Sequence, residues 1–143
     1  MEQVDFPTWS PDGRLITYGV YTGEDIGLYV VAPDGRGLRR VTTTIGDRPA
    51  WSPNGSWVAI AAANPDGRRG LVLVGPDGTG EHVVVRDRAT GPAWSPDGQR
   101  IAYAADDEEG THLYVVGADG EGRIQLTHGR VRDALPQWRP RQP

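Results

Sequence analysis

The chain has 143 residues, with 20 glycines, 12 prolines, no cysteine and a formal net charge of −4. This composition predicts one domain of ordinary size that is unusually rich in turns. The absence of cysteine excludes disulfides and thiolate metal sites. No apolar run is long enough to span a membrane. The acidic net charge argues against nonspecific binding of nucleic acid or anionic lipid.

The first part of the chain predicts four short β-strands joined by tight turns. The turn after strand one is Trp9-Ser10-Pro11-Asp12-Gly13. Proline presets φ, aspartate suits the next turn position, and glycine supplies the left-handed residue that a bulged hairpin needs. No stretch has the i, i+3, i+4, i+7 apolar spacing of a helix, so we predict none. The expected strands lie at about 6–9, 15–18, 28–32 and 38–42.

The same series of elements then returns twice. The turn motif recurs as Trp51-Ser52-Pro53-Asn54-Gly55 and as Trp94-Ser95-Pro96-Asp97-Gly98, with asparagine replacing aspartate in the second copy. The tryptophans are 42 and 43 residues apart, and a truncated echo, Trp138-Arg139-Pro140, places the next one 44 residues later. An apolar strand keeps the same period. Its copies are Leu28-Tyr29-Val30-Val31, Leu71-Val72-Leu73-Val74 and Leu113-Tyr114-Val115-Val116.

The second and third strands of the repeat are almost continuously apolar, as in Val58-Ala59-Ile60-Ala61-Ala62. Such strands are buried on both faces. A four-stranded antiparallel sheet that is covered on both faces and repeats every 40 to 45 residues is the blade of a β-propeller. We therefore predict an all-β fold of three four-stranded antiparallel propeller blades. Their expected bounds are about 5–43, 47–86 and 90–128, followed by an extra inner strand at about 134–138 and a tail.

The pattern from Phe6 to Trp138 resembles the TolB-type (WD-like, PD-type) β-propeller repeat. It contains Pro-x-Trp-Ser-Pro-Asp-Gly, a strand such as Arg100-Ile101-Ala102-Tyr103, the Leu-Tyr-Val-Val strand, and a last strand that ends in Leu126-Thr127. The resemblance implies a propeller that binds other molecules. The chain departs from that family in having three repeats where closed rings usually have six or more, and in lacking a hydrolase domain.

Three blades cannot close a ring, since closed rings hold roughly 4 to 8 blades. An open arc would leave two large apolar faces in water. We therefore expect a homodimer with six blades, and favour it over a nine-bladed trimer because two-fold closure is the commonest. The alternative is that the chain is a piece of a longer propeller. The extra strand around Leu135 to Trp138 is expected to pack on the partner's first blade or to fray.

The serines and tryptophans of the repeat motif have structural explanations. Ser10, Ser52 and Ser95 adjoin turn prolines and are expected to bond the turn backbone. The Gly-x-Ser-x-Gly motif of serine hydrolases is absent, so we predict no catalytic residue. The tryptophans recur in step with the blades, which indicates packing.

The acidic residues and histidines do not have the spacing of a metal site. Asp106-Asp107-Glu108-Glu109 lacks the alternating oxygen spacing of a calcium loop and is expected to be solvated. No two of the histidines have the spacing of zinc ligands, so we predict no metal and no cofactor. The histidines are His82, His112 and His128.

Arginines are concentrated in the loops that join strand four of one blade to strand one of the next. In a propeller these loops ring the mouth of the central channel, and guanidinium groups bind carboxylates or phosphates through two parallel hydrogen bonds. The alternative is that they pair with neighbouring aspartates along a polar rim. The candidate ligand-binding residues are Arg48, Arg86, Arg88, His128, Arg130 and Arg132.

The sequence thus predicts a noncatalytic scaffold that assembles with itself and binds a protein, peptide or small anion at its loop face, with no nucleic-acid or membrane partner. One alternative is a piece of a larger propeller whose only property is assembly. Another is a propeller hydrolase or lyase, which would require acids that converge in the channel. The N-terminus has no signal peptide, which favours the cytoplasm, whereas a trimmed relative of TolB would be periplasmic.

Overall fold

The structure is a computed structural model that describes residues 3–63, 67–129 and 135–139. These residues form three four-stranded antiparallel sheets and no helix, which confirms the predicted blades. Accordingly, within these ranges there is no helix long and apolar enough to cross a membrane. In every sheet the strands pair in the order in which they follow along the chain.

Blade 1 contains strands β1 to β4. The pairing of β1 with β2 is interrupted between Asp5 and Thr8 by a bulge, which lies three residues before Trp9. Phe6, at the centre of this bulge, has a φ of 55°. The strand bounds are β1 Val4–Trp9, β2 Ile16–Val20, β3 Gly27–Val31 and β4 Arg39–Thr42.

Blade 2 repeats this arrangement, and its central strands are buried almost throughout. The bulge now centres on Arg48, whose φ is 54°. Two side chains of different type therefore share one left-handed backbone position, which indicates that the repeat and not the local residue dictates the bulge. The strand bounds are β5 Gly46–Trp51, β6 Val58–Ala63, β7 Arg69–Val74 and β8 His82–Val85.

Blade 3 has the longest central strands and the shortest outer strand. Gly91, with a φ of 60°, takes the bulge position, where a glycine carries no steric cost. The strand bounds are β9 Ala89–Trp94, β10 Arg100–Asp106, β11 Thr111–Gly117 and β12 Ile124–Gln125.

The Trp-Ser-Pro-Asp-Gly turns are held by the buried serine and the residue two positions later. In the first turn, the hydroxyl of Ser10 donates to Asp12 Oδ1 at 2.6 Å and accepts the backbone N–H of Leu15 at 2.9 Å. Asn54 replaces the aspartate in the second turn and accepts from Ser52 at 2.8 Å. The expectation that these serines bond the turn backbone is met by this geometry.

Two apolar interfaces hold the blades together. Leu28 and Val30 of blade 1 pack with Ile60 and Val72 of blade 2. On its other side, blade 2 packs against blade 3, and the ring of Tyr103 is enclosed in that second interface. The first strands of the blades are neighbours, because β5 contacts both β1 and β9. A blade therefore uses alternate residues of the same strands to contact the blade before it and the blade after it.

The outer blades each have one face that no other blade covers. Trp9 on blade 1 is 56% exposed, whereas Trp94, its counterpart at the interface between blades 2 and 3, is 9% exposed. Packing was expected for all three repeated tryptophans, and Trp9 departs from it because none of the described residues packs as a blade on that side of blade 1. Ile124 on the far side of blade 3 is 52% exposed for the corresponding reason.

Residues 135–139 lie against β9 and form no strand. The indole N–H of Trp138 donates to the carbonyl of Ala93 at 2.8 Å, just as Trp94 donates to Ala50 at 3.0 Å. Leu135 occupies the space in front of Gly91. In the single chain the segment thus takes the inner-strand position that would follow blade 3.

Candidate ligand-binding cleft on the loop face

The loops after the second and fourth strands of each blade lie at one end of the molecule. Antiparallel strands alternate in direction, so the β6–β7, β8–β9 and β10–β11 connections leave the sheets at this end, while the Trp-Ser-Pro-Asp-Gly turns leave at the other. We call this end the loop face. The arginines Arg86 and Arg88 lie on it, in the connection from blade 2 to blade 3.

Between blades 2 and 3 the loop face contains a cavity of about 380 Å³. We call this cavity the arginine cleft. A neighbouring cavity of about 430 Å³ shares Arg68, Arg88 and Asp106 with it. The arginine cleft is lined by Arg68, Arg86, Asp87, Arg88, Ala105, Asp106, Asp107, Tyr114 and Arg123.

The three aspartates of the arginine cleft are bound to other groups. Asp87 forms an ion pair with Arg123. Asp106 accepts a hydrogen bond of 2.7 Å from the hydroxyl of Thr111. Asp107 accepts the backbone N–H groups of Glu109 at 2.8 Å and Gly110 at 3.1 Å. The negative charge of the cleft is therefore already engaged within the protein.

Arg86 and Arg88 form no ion pair with any carboxylate of the described residues, and both are exposed. Because the aspartates beside them are engaged, their guanidinium groups are the free positive charge of the arginine cleft. Arginine presents a planar set of donors that matches a carboxylate or a phosphate. The cleft is therefore suited to an anion.

One aromatic ring, that of Tyr114, lines the arginine cleft, while its neighbour Tyr103 is fully buried. The rings of Tyr103 and Tyr114 are stacked, with 5.6 Å between centroids. The guanidinium carbon of Arg123 lies 4.3 Å from the Tyr114 centroid, which is a cation–π contact that also fixes the arginine above Asp87. Burial raises the pKa of Tyr103 to about 12, although the charge of Arg123 opposes the shift, so this phenol stays protonated and neutral.

His112 lies behind the arginine cleft and is fully buried. Its Nε2 is 3.3 Å from Oδ1 of Asp107. The backbone N–H of Glu109 is the main cause that holds the pKa of Asp107 below its usual range, and the nearby imidazole adds to it. His112 thus supports the loop that carries Asp107 and does not line the cleft itself.

The structure brings together two of the predicted ligand-binding residues, Arg86 and Arg88. Arg48 lies apart from them, with its guanidinium carbon 5.7 Å from the centroid of the Phe6 ring. His128 is exposed beyond β12 and does not line the arginine cleft. Arg130 and Arg132 lie outside the described residues.

Two arginines of the arginine cleft were missed by sequence reasoning. Arg68 belongs to the loop after the second strand, and the alternation of strand direction could have placed it at the same end as Arg86 and Arg88. Arg123 directly precedes the last strand of blade 3, and it reaches the cleft through the length of its side chain, which strand periodicity does not reveal.

The alternative of a self-paired polar rim is met in part. Asp47 of β5 forms an ion pair with Arg69 of β7, and Asp87 forms one with Arg123, so these aspartates bind arginines other than the predicted Arg48, Arg86 and Arg88. Within residues 3–63, 67–129 and 135–139, no three acidic, histidine or cysteine side chains are grouped so that they could hold a metal ion.

Comparison with known proteins places this architecture in a family. A family model described as the lipoprotein LpqB β-propeller domain matches residues 29–134. The Tol-Pal system protein TolB of Francisella tularensis subsp. mediasiatica is 37% identical over 57 residues, which are 38% of this chain and 13% of that protein.

Solved structures show the same fold. A TolB from Agrobacterium tumefaciens has a TM-score of 0.80 at 23% identity, covering 95% of this chain and 50% of that one. TolB from Acinetobacter baumannii has a TM-score of 0.71 at 19% identity, and the match covers 91% of this chain and 34% of that one. An oligogalacturonate lyase from Vibrio parahaemolyticus has a TM-score of 0.68 at 18% identity and covers 86% of this chain and 36% of its own.

The chain therefore spans half or less of the length of these relatives, and its likeness to the solved structures is one of fold. The family model covers most of the chain, including the second and third repeat turns, the interface between blades 2 and 3 and the arginine cleft. The chain belongs to the LpqB-type β-propeller domain family and is related to TolB.

Proposed function

We propose that this chain is a noncatalytic propeller module that binds an anionic group of a protein, peptide or small molecule in the arginine cleft of its loop face. The observation that carries the proposal is the pair Arg86 and Arg88, which remain without a carboxylate partner among the described residues while the adjacent aspartates are engaged. A preformed, partly aromatic concavity with a few charged groups is the usual form of a binding site.

A noncatalytic role is supported by the chemistry of the arginine cleft. Its acids are bound to backbone N–H groups, a hydroxyl and an arginine, so none is placed as a free general base. The lyase neighbour is similar in fold alone at 18% identity and carries no catalytic residue to this chain.

The test is a calorimetric titration of the protein with citrate and with a hexaglutamate peptide at low ionic strength. We expect binding that the double variant Arg86→Gln/Arg88→Gln weakens at least tenfold, which corresponds to about 1.4 kcal/mol. Moderate salt should weaken it as well, because exposed charges are screened over about 10 Å at 0.1 M. The matched control is Arg14→Gln/Arg36→Gln, which removes two exposed arginines from the turns at the opposite end.

Equal loss in the control would mean that net charge, and not the arginine cleft, governs the interaction. No binding of either probe to the unmodified protein would reject the proposal. Loss confined to the cleft variant supports it.

The open faces of blades 1 and 3 support a second part of the proposal, self-association of the chain. Trp9 and Ile124 are more than half exposed on these faces. Apolar surface of this kind is normally buried by a neighbouring blade. We propose that a second copy covers it and that two copies give a ring of six blades.

The second candidate function is that of a segment in a longer propeller, whose further blades would cover the same faces. It is favoured by the finding that the chain covers 50% of the Agrobacterium tumefaciens TolB structure. Light scattering separates the two: a single species of twice 15.5 kDa supports the ring, whereas heterogeneous aggregates support the segment.

The lipoprotein named in the family model bears on the location of the chain. It supports the periplasmic alternative over the cytoplasmic expectation, and we propose a location outside the cytoplasm. Fractionation of the native cells with an antibody against this chain tests the assignment, and recovery in the cytoplasmic fraction would contradict it.

A further inference from the structure

The open face of blade 1 and the buried face of blade 3 that contacts blade 2 carry the same residues at the same positions. We call the first the leading face of blade 1. In blade 1, Trp9 pairs with Ile16 across β1 and β2. In blade 3, Trp94 pairs with Ile101 across β9 and β10, so the two tryptophans and the two isoleucines occupy equivalent positions. The leading face of blade 1 is Trp9, Ile16, Tyr18, Tyr29 and Val31, and its counterpart on blade 3 is Trp94, Ile101, Tyr103, Tyr114 and Val116.

The likeness extends to geometry. Tyr18 and Tyr29 stack with centroids 5.8 Å apart and planes at 15°, and Tyr103 and Tyr114 stack at 5.6 Å and 18°. The second pair is enclosed between blades, while the first faces away from blade 2. The leading face of blade 1 thus has the residues and the ring arrangement of a face that is known, from this same chain, to pack against another blade.

The surface that receives the tyrosine pair of blade 3 is also repeated. On blade 2 it consists of two alanines and two leucines: Ala59, Ala61, Leu71 and Leu73. The far side of blade 3, which we call the trailing face of blade 3, has the same small and large residues in the same register: Ala102, Ala104, Leu113 and Val115, with Ile124 beside Val115. Only one of the four positions differs, and only by a methylene group.

The interface between blades 1 and 2 uses a different set, which makes the match specific. On the blade 1 side of that interface, Thr17 and Gly19 occupy the positions that are alanines in blades 2 and 3. On the blade 2 side, Ile60 and Val72 occupy the positions that are tyrosines in blade 3. The leading face of blade 1 thus matches one side of the interface between blades 2 and 3, and the trailing face of blade 3 matches the other side. The two faces are therefore complementary in residue type.

Residues 135–139 lie where a second copy would place its first strand. Three residues of the trailing face, Ala102, Ala104 and Val115, are buried in the single chain, and Ile124 is the part of this face that stays exposed. Trp138 donates to the carbonyl of Ala93, and Trp94 donates to the equivalent carbonyl of Ala50 in the preceding blade. If blade 1 of a second copy docked on blade 3 as blade 3 docks on blade 2, the indole N–H of its Trp9 would donate to the same carbonyl of Ala93. Trp138 and the Trp9 of the second copy therefore compete for one position.

We propose that the trailing face of blade 3 docks the leading face of blade 1 of a second copy, in the register of the interface between blades 2 and 3, and that residues 135–139 leave this position when the second copy docks. This rests on the proposed self-association and names its surfaces.

The test uses complementing variants with one damaged face each, Trp9→Glu and Ile124→Glu. Both positions are more than half exposed, so each single variant is expected to fold. Each should stay at 15.5 kDa in light scattering under conditions where the unmodified chain associates. Their equimolar mixture should form a heterodimer that contains one copy of each, because one intact leading face meets one intact trailing face. Arg14→Glu is the charge control, because Arg14 is exposed in the turn after Trp9 and belongs to neither face, and it should associate normally.

A third variant, Trp138→Ala, tests the displacement. Removal of the indole hydrogen bond and its packing should strengthen association roughly tenfold, since about 1.4 kcal/mol no longer holds the segment in place. Weaker association of this variant would overturn the displacement and make residues 135–139 part of the interface.

The outcomes distinguish failure of self-association from failure of the assigned docking faces. If the unmodified chain associates but the mixture of Trp9→Glu and Ile124→Glu does not, self-association stands and the assigned faces are wrong. If the unmodified chain, the Trp138→Ala variant and the mixture are all monomeric, self-association itself is rejected. If either single variant associates as well as the unmodified chain, the face that it damages is not the docking surface.

Discussion

At the scale of single residues, the repeated turns are stabilised by a buried hydroxyl and not by proline and glycine alone. Ser52 donates to Asn54 Oδ1 and accepts the backbone N–H of Trp57 at 2.9 Å. The same two contacts recur in the other turns, with aspartate in place of asparagine. The acceptor two residues after the serine must have a carbonyl or carboxylate oxygen, and either type meets that requirement.

We expect Ser52→Ala to lower the free energy of unfolding by about 1–3 kcal/mol, because it removes a buried hydroxyl and leaves the part-buried N–H of Trp57 without an acceptor. Urea unfolding followed by tryptophan fluorescence measures this. Ser56→Ala is the matched control: Ser56 is exposed in the same turn, and its substitution should change stability by less than about 0.5 kcal/mol. Equal effects of the two variants would show that the hydroxyl bond is not the source of stability.

Backbone conformation at the bulges is also a residue-scale feature. Phe6, Arg48 and Gly91 hold the same left-handed φ, yet only the third is of a type that favours it. The residues alone do not predict the bulge in blades 1 and 2. The Pro-x-Trp spacing that follows each of them is the signal that the three positions share.

At the scale of elements, equivalent strands differ in what covers them. Leu71 on blade 2 is fully buried against blade 3, whereas Leu113 holds the same position on the trailing face of blade 3 and is half-buried. The sequence does not distinguish the two leucines. Their burial depends on whether another blade follows.

We expect Leu71→Ala to destabilise the chain by about 2–5 kcal/mol, the usual range for a buried leucine. Leu113→Ala should cost clearly less at low protein concentration, where no second copy covers the trailing face of blade 3, and its cost should approach that of Leu71→Ala as association increases. Chemical unfolding at two protein concentrations measures both. Equal costs at low concentration would contradict the assignment of a trailing face that no other blade covers.

At the scale of the whole molecule, three blades leave two unlike but complementary ends. A contact between unlike surfaces can either close after a fixed number of copies or continue as an open chain. The count of six blades in two copies lies within the range of closed rings, which is why we favour closure.

We expect the melting temperature of the unmodified chain to rise with protein concentration, because a partner that binds only the folded chain stabilises it by mass action. Scanning calorimetry over a hundredfold range of concentration measures the shift. Trp9→Glu should remove the dependence without removing the transition. A melting temperature that is independent of concentration in the unmodified chain would contradict self-association.

The sequence by itself determined the repeat, the strand order and the turn chemistry, because these depend on the spacing of Trp-Ser-Pro-Asp-Gly and on apolar strands that are local in the chain. It also placed Arg86 and Arg88 at the loop face. Tertiary structure decided the rest: which arginines share a cavity, since Arg68 and Arg123 arrive from other elements, and which of the identical tyrosine pairs is buried. Those outcomes depend on which blades are neighbours in space, and neighbour relations are not encoded within any single repeat.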